Sequence, residues 1–296
     1  MSFIRTVQQA SNLRSSAPSG AYRFETRVAA PSGNKRRLAR EIAGHLNGPA
    51  AQAACELICL AHGGRVFIVE DGGNNLTISS AVEPKDREKL AEKHQLAGFS
   101  AGDAVLTFGA DFYQKLRPED RVMLAEHELW HYFLDLSFPG LKLEYFSMRR
   151  SLDAVGLWFV SQYFAGSLDH FFLTLAATAA GRADFASRDA DWRLAGIIPR
   201  IGELQPEAKT ALGVGLLFSH VYAFCFFLEF EKLKNSNFMA IKAAFGEKQF
   251  DGCYAMAREL FARIERRGDL RVDAFGEICQ FWIDYGEAHW LYLMDD

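Results

Sequence analysis

The stretch Glu126-His127-Glu128-Leu129-Trp130-His131 constrains this chain most. It sits inside a segment that reads as one helix, which must hold apolar and ion-binding side chains on separate faces. Pro118 stands at a first helical position, where its missing N–H is no loss, and Glu119 and Asp120 suit the positive end of the helix dipole. The pattern runs to about Leu136 and stops at Ser137-Phe138-Pro139-Gly140. Val122, Ala125, Leu129, Phe133 and Leu136 form an apolar stripe that can face a core. His127, His131 and Asp135 lie along a different line.

Residues four apart on a helix share a face, so His127 and His131 can offer two imidazole nitrogens to a single ion. Glu128 lies about 100° round the helix from His127 and borders the same face. Two imidazoles with an adjacent carboxylate suit a Zn²⁺ ion whose water needs a general base. The plainer reading is an ordinary amphipathic helix carrying two surface or core histidines.

With His-Glu-x-x-His at 127–131 the chain resembles the zincin metallopeptidases, which carry this motif on their active-site helix. The resemblance covers the motif and a few dozen residues around it, and names no particular family. It implies zinc-dependent hydrolysis of a protein or peptide substrate, with Glu128 as the base. It also implies a small sheet beside the metal helix, one edge of which pairs with extended substrate. The strand at 104–108 or one arm of the preceding hairpin is expected to do this.

A third protein ligand is needed. The zincin pattern with a nearby third His requires Gly at position 134 and His at position 137; Leu134 and Ser137 exclude it. A carboxylate from the next helix remains. Asp153 is preferred for its spacing from His131, with Glu144 as the alternative; half a helical turn separates them, so only one can face the ion. Asp153 lies in a worn form of the Glu-x-x-Ala-Asp pattern of some zincins, in which Arg149 occupies the ligand position. A surface ion pair with Arg149 or Arg150 is the plain alternative for Asp153. His170 and His220 are further possible ligands or transition-state donors, although a lone His in an apolar helix is usually a core residue. Asp135 can orient the His131 ring, and Tyr113, Tyr132 and Tyr145 can stabilise an oxyanion.

The net charge of −4 argues against a nucleic-acid surface, which needs clustered Lys and Arg. Five scattered cysteines, an odd number, read as buried free thiols in a reducing compartment. The first thirty residues lack the apolar core of a secretory signal, so a cytoplasmic location is expected. Their Ser- and Arg-rich composition leaves three readings open: a disordered tail, a bacterial export signal or an organelle transit peptide. Export as an effector follows from the second.

Three parts are expected: a poorly ordered tail over 1–33, an α+β lobe with the motif helix over 34–140, and a helical lobe over 141–296. Helices are expected from Asn34 and over 49–61, then a hairpin from Arg65–Val69 and Leu76–Ile78, a charged helix over 85–95 and the strand at 104–108. Helical spacing continues over about 141–165, 168–182, 206–234, 249–267 and 272–293. The fold class expected is α+β, mostly helical, with a small N-terminal sheet packed beside the zinc-binding helix and a helical C-terminal half. Within it, Ala211–Leu228 is apolar enough to reach the lower length limit of a membrane span, though a central buried helix is favoured. The competing functional expectation is a non-catalytic helical protein, membrane-associated or partner-binding, whose motif is degenerate or accidental.

Overall fold

A computed structural model describes residues 7–9, 11–12, 24–28, 33–62, 66–72, 75–79, 97–100, 105–138, 150, 153–154, 163, 165–225 and 236–265. The chain divides into an N-terminal unit, Gln9–Pro139, and a C-terminal unit formed by Gly140–Asp296 with Met1–Gln8.

In the N-terminal unit β1 (Glu25–Val28) leads into α1 (Gly33–Leu46) and α2 (Gln52–His62). Leu38, Ile42 and Leu46 recur every fourth residue on α1, and all three are buried. Asn47 ties the end of α1 to the start of β1: Phe24 N–H donates to its Oδ1 at 2.8 Å, and its Nδ2 donates to Phe24 O at 3.1 Å. Next come β2 (Val66–Gly72), β3 (Asn75–Ser79), β4 (Ala97–Ser100) and β5 (Val105–Gly109). The strands pair in the order β1-β2-β3-β5-β4, parallel for β1–β2 and antiparallel elsewhere. Two helices follow, α3 (Ala110–Lys115) and the motif helix α4 (Pro118–Ser137).

The expected α+β class is corrected. The described protein is predominantly helical, and the Phe108 side chain of β5 is buried in its core. The motif helix packs chiefly on α1 and α2 and meets the strands through β4. The physical reason lies in where the apolar residues fall. They recur at helical spacing along segments of 11 to 20 residues, whereas the β-type runs are only 4 to 7 residues long. The expected substrate-pairing strand is corrected too: β5 lies between β3 and β4, and the hairpin arms β2 and β3 are flanked on both sides. The edges among the described residues are β1 and β4. The charged helix expected over 85–95 lies outside the described residues.

The C-terminal unit contains α5 (Ala165–Ala179), α6 (Ala183–Ile197), a 3-10 segment (Ile198–Glu203), α7 (Pro206–Leu217), α8 (Ser236–Phe245) and α9 (Glu247–Glu265). The turn from α5 to α6 needs Gly181, whose φ is +80°: Arg182 N–H reaches back to Ala177 O at 2.8 Å and closes the helix end. After Leu217 the helix widens into a π-segment, Phe218–Tyr222, before one last α-turn, Ala223–Cys225. Val214, Leu217, Phe218, Val221 and Tyr222 are all at most 1% exposed, so the apolar stretch is a central core helix as far as it is described. No helix among the described residues is long and apolar enough to cross a membrane. Cys55, Cys59 and Cys253 are free and buried.

Candidate metal centre on the motif helix

α4 starts as its residue types require. Pro118 occupies its first turn with Glu119 and Asp120, and the Arg117 guanidinium pairs with Asp120 at 2.8 Å. It ends where Phe138 N–H donates to Leu134 O at 2.8 Å. Between these ends, Met123 to Leu134 are buried except His131, which is half-buried. The helix is thus enclosed on more sides than an amphipathic stripe requires. Ala125, Leu129 and Phe133 are at most 1% exposed, while Val122 and Leu136 are only half-buried.

Three acidic or basic groups lie inside this enclosed segment: Glu126, His127 and Glu128, at 1%, 7% and 4% exposure. A charged carboxylate at such depth needs an ion or hydrogen-bond partners. The two motif histidines come together across one helical turn. Their Nε2 atoms stand 3.1 Å apart, and their rings meet edge to face at 77° with centroids 4.7 Å apart. Two imidazole nitrogens bound tetrahedrally to one zinc at about 2.05 Å would be about 3.3 Å apart. The observed spacing fits a shared ion. His127 and His131 thus present nitrogen ligands close enough to hold a metal ion, with the Glu128 backbone next in sequence.

Of the other residues singled out from sequence, Asp135 is half-buried one turn beyond His131. Asp153 has an exposed side chain in a short helical piece. Glu144, Arg149 and Tyr145 lie outside the described residues. Tyr132 is buried in α4. The Tyr113 hydroxyl is engaged 2.7 Å from His45 Nδ1, and burial raises its pKa above the ordinary phenol range. His170, on α5, is half-buried, and its Nδ1 donates to Gly166 O at 2.6 Å. His220 sits in the π-segment, almost fully buried, beside Arg193.

Two polar clusters escaped the sequence reading. In the N-terminal unit Arg121 pairs with Glu41 at 3.0 Å, and its guanidinium carbon lies 5.5 Å from the centre of the Tyr113 ring. In the C-terminal unit Arg193 pairs with Asp189. The i, i+4 spacing of Asp189 and Arg193 was a readable signal; the burial of the pair was not.

Neither the protein-family models, the curated proteins nor the solved structures compared with this chain match it.

Proposed function

We propose that this chain hydrolyses peptide bonds with a zinc ion held by His127, His131 and a third protein ligand. The observation that carries the reading is the 3.1 Å approach of the two Nε2 atoms on a helix that also buries Glu128. When bound, zinc polarises a carbonyl oxygen and lets a water lose its proton near neutral pH. Glu128 supplies the base. Its carboxylate takes the proton of the attacking water and gives it to the leaving nitrogen as the C–N bond breaks.

The test is zinc content by mass spectrometry on wild type, His127→Ala, His131→Ala and Asp153→Ala. One zinc per chain, lost in His127→Ala and in His131→Ala, is expected. Loss in Asp153→Ala as well would assign the third ligand to that carboxylate. A wild type that takes up no zinc on reconstitution would sink the enzyme reading. The 3.1 Å approach would then be a hydrogen bond between two neutral imidazoles in a non-catalytic helical protein.

A further inference from the structure

The C-terminal unit holds a cavity of 480 Å³ between α5, α6, the 3-10 segment, α7 and the π-segment. That volume lies within the range of small-molecule sites, about 300–1,000 Å³. Its wall combines two unlike surfaces. Leu212 and Leu216 give it an apolar side, and Arg193 and His220 give it a polar one.

The polar side consists of donors. Arg193 Nε pairs with Asp189 Oδ2 at 3.1 Å, with side chains only 11% and 1% exposed. Arg193 Nη2 donates to His220 Nδ1 at 3.2 Å. A guanidinium cannot accept a hydrogen bond, so His220 Nδ1 carries the lone pair and the ring proton sits on Nε2. Burial, reinforced by the neighbouring guanidinium, pushes the His220 pKa well below its ordinary value, in keeping with a neutral ring. Arg193 has five N–H donors; Nη2 spends one on His220, whereas the Nε contact with Asp189 is an ion pair without hydrogen-bond geometry. His220 in turn sits at the centre of the π-segment Phe218–Tyr222. Single-turn π-segments inside α-helices occur frequently at functional sites.

The charge at this wall is limited. Asp189 pairs with Arg193, Asp169 acts on it from further off, and the exposed Arg200 and Glu203 that also line the cavity carry opposite charges. One added negative charge suits such a wall better than two, which favours a carboxylate over a phosphate. We propose that this cavity binds a monocarboxylate with an apolar body, its oxygens facing Arg193 and the His220 Nε2–H and its body lying on Leu212 and Leu216. The inference stands apart from the metal reading, because every residue it uses belongs to the C-terminal unit. The carboxylate can be a small free acid or the terminus of a peptide, and the test separates them.

The experiment is calorimetric titration of the full chain, zinc-free and zinc-loaded, with hexanoate, with acetyl-Ala-Leu acid and with their amides. His170 also lines the cavity, so the zinc-free arm keeps the metal out of the result. At least one acid is expected to bind the zinc-free chain, and its amide at least tenfold more weakly. Hexanoate binding assigns a free acid; binding of the peptide acid alone assigns a chain terminus. Arg193→Gln should weaken binding at least tenfold. Because that change leaves Asp189 buried without its partner, Gly196→Phe is the companion variant. A Cβ at Gly196 meets nothing within 4 Å and Gly196 lines the cavity, so a Phe ring there should block binding without crowding the core. Equal binding of acids and amides, binding only in the presence of zinc, or unchanged affinity in Gly196→Phe overturns the proposal.

Discussion

His127 Nε2 and His131 Nε2 approach to 3.1 Å across one turn of α4, inside a segment whose neighbours are nearly all buried. Two imidazoles meet at this distance by sharing a proton or an ion, and under the proposed function the adjacent Glu128 is the base. Glu128→Gln removes the base and keeps the shape. It should retain zinc at one per chain and lower the rate of peptide cleavage by roughly 10²- to 10⁴-fold. Cleavage of a denatured protein substrate, followed beside metal content, reads both. Full activity in Glu128→Gln would remove Glu128 from the mechanism.

Arg121 holds the entry to the motif helix. Its Nη1 pairs with Glu41 of α1 at 3.0 Å, its Nε donates to Leu116 O at 3.0 Å, and its Nη2 donates to Gln114 O at 2.7 Å. Two of these bonds satisfy carbonyls at the end of α3, where no further helical turn exists to do so. An ammonium cannot span this set of acceptors while lying over the Tyr113 ring. Arg121→Lys should therefore cost about 1–2 kcal/mol in urea unfolding, although it keeps the charge. An unchanged unfolding midpoint would show that the fork geometry contributes nothing.

Stability should fall with acid. Burial depresses the His220 pKa from 6.5, with Arg193 acting in the same direction and Asp189 against it. The unfolded chain therefore takes up this proton first. The contribution is fully present above about pH 6.5. As pH drops below that value it is lost at up to about 1.4 kcal/mol per unit, until the folded state also protonates. His45, lowered mainly by burial, adds a smaller effect of the same sign. Unfolding free energies at pH 7.5, 6.0 and 5.0 should decline, and the decline should be shallower in His220→Gln. Equal slopes in the two proteins would rule out His220 as the source.

Gly213 lets α7 and α9 approach closely. A Cβ there would lie 2.6 Å from Cys253 Sγ and 3.0 Å from Phe245 Cε1. Gly213→Ala improves helix propensity by about 1 kcal/mol, yet overpacking of this kind costs about 1–3 kcal/mol. A net loss of thermal stability is expected, partly recovered in Gly213→Ala/Cys253→Ala, where the nearest atom is gone. Additive single effects would mean that the two positions do not couple.

The Cys253 thiol, buried and with its pKa pushed up to about 11, should resist alkylation at pH 8 in the folded protein and react once it unfolds. Rapid labelling of Cys253 in the native state, read by peptide mass spectrometry, would contradict that burial.

The sequence by itself determined the elements that depend on neighbours along the chain. Pro118, the acids after it and the break at Phe138-Pro139 marked α4, and His127 and His131 had to share a face of it because helical rotation is a local property. The spacing of Leu38, Ile42 and Leu46 marked α1 in the same way. Tertiary structure decided what depends on distant closure. β4 takes the edge next to β5 because of pairing between strands. Arg193 meets His220 across 27 residues, and His45 meets Tyr113 across 68. Periodicity reports which face of an element is apolar, but not which face another element will cover. Periodicity thus sets His127 and His131 on a separate line from the apolar stripe, whereas the fold also buries His127 and the neighbouring Glu128. The burial that gives a carboxylate or an imidazole its chemistry is a property of the assembled core, and no stretch of chain holds it alone.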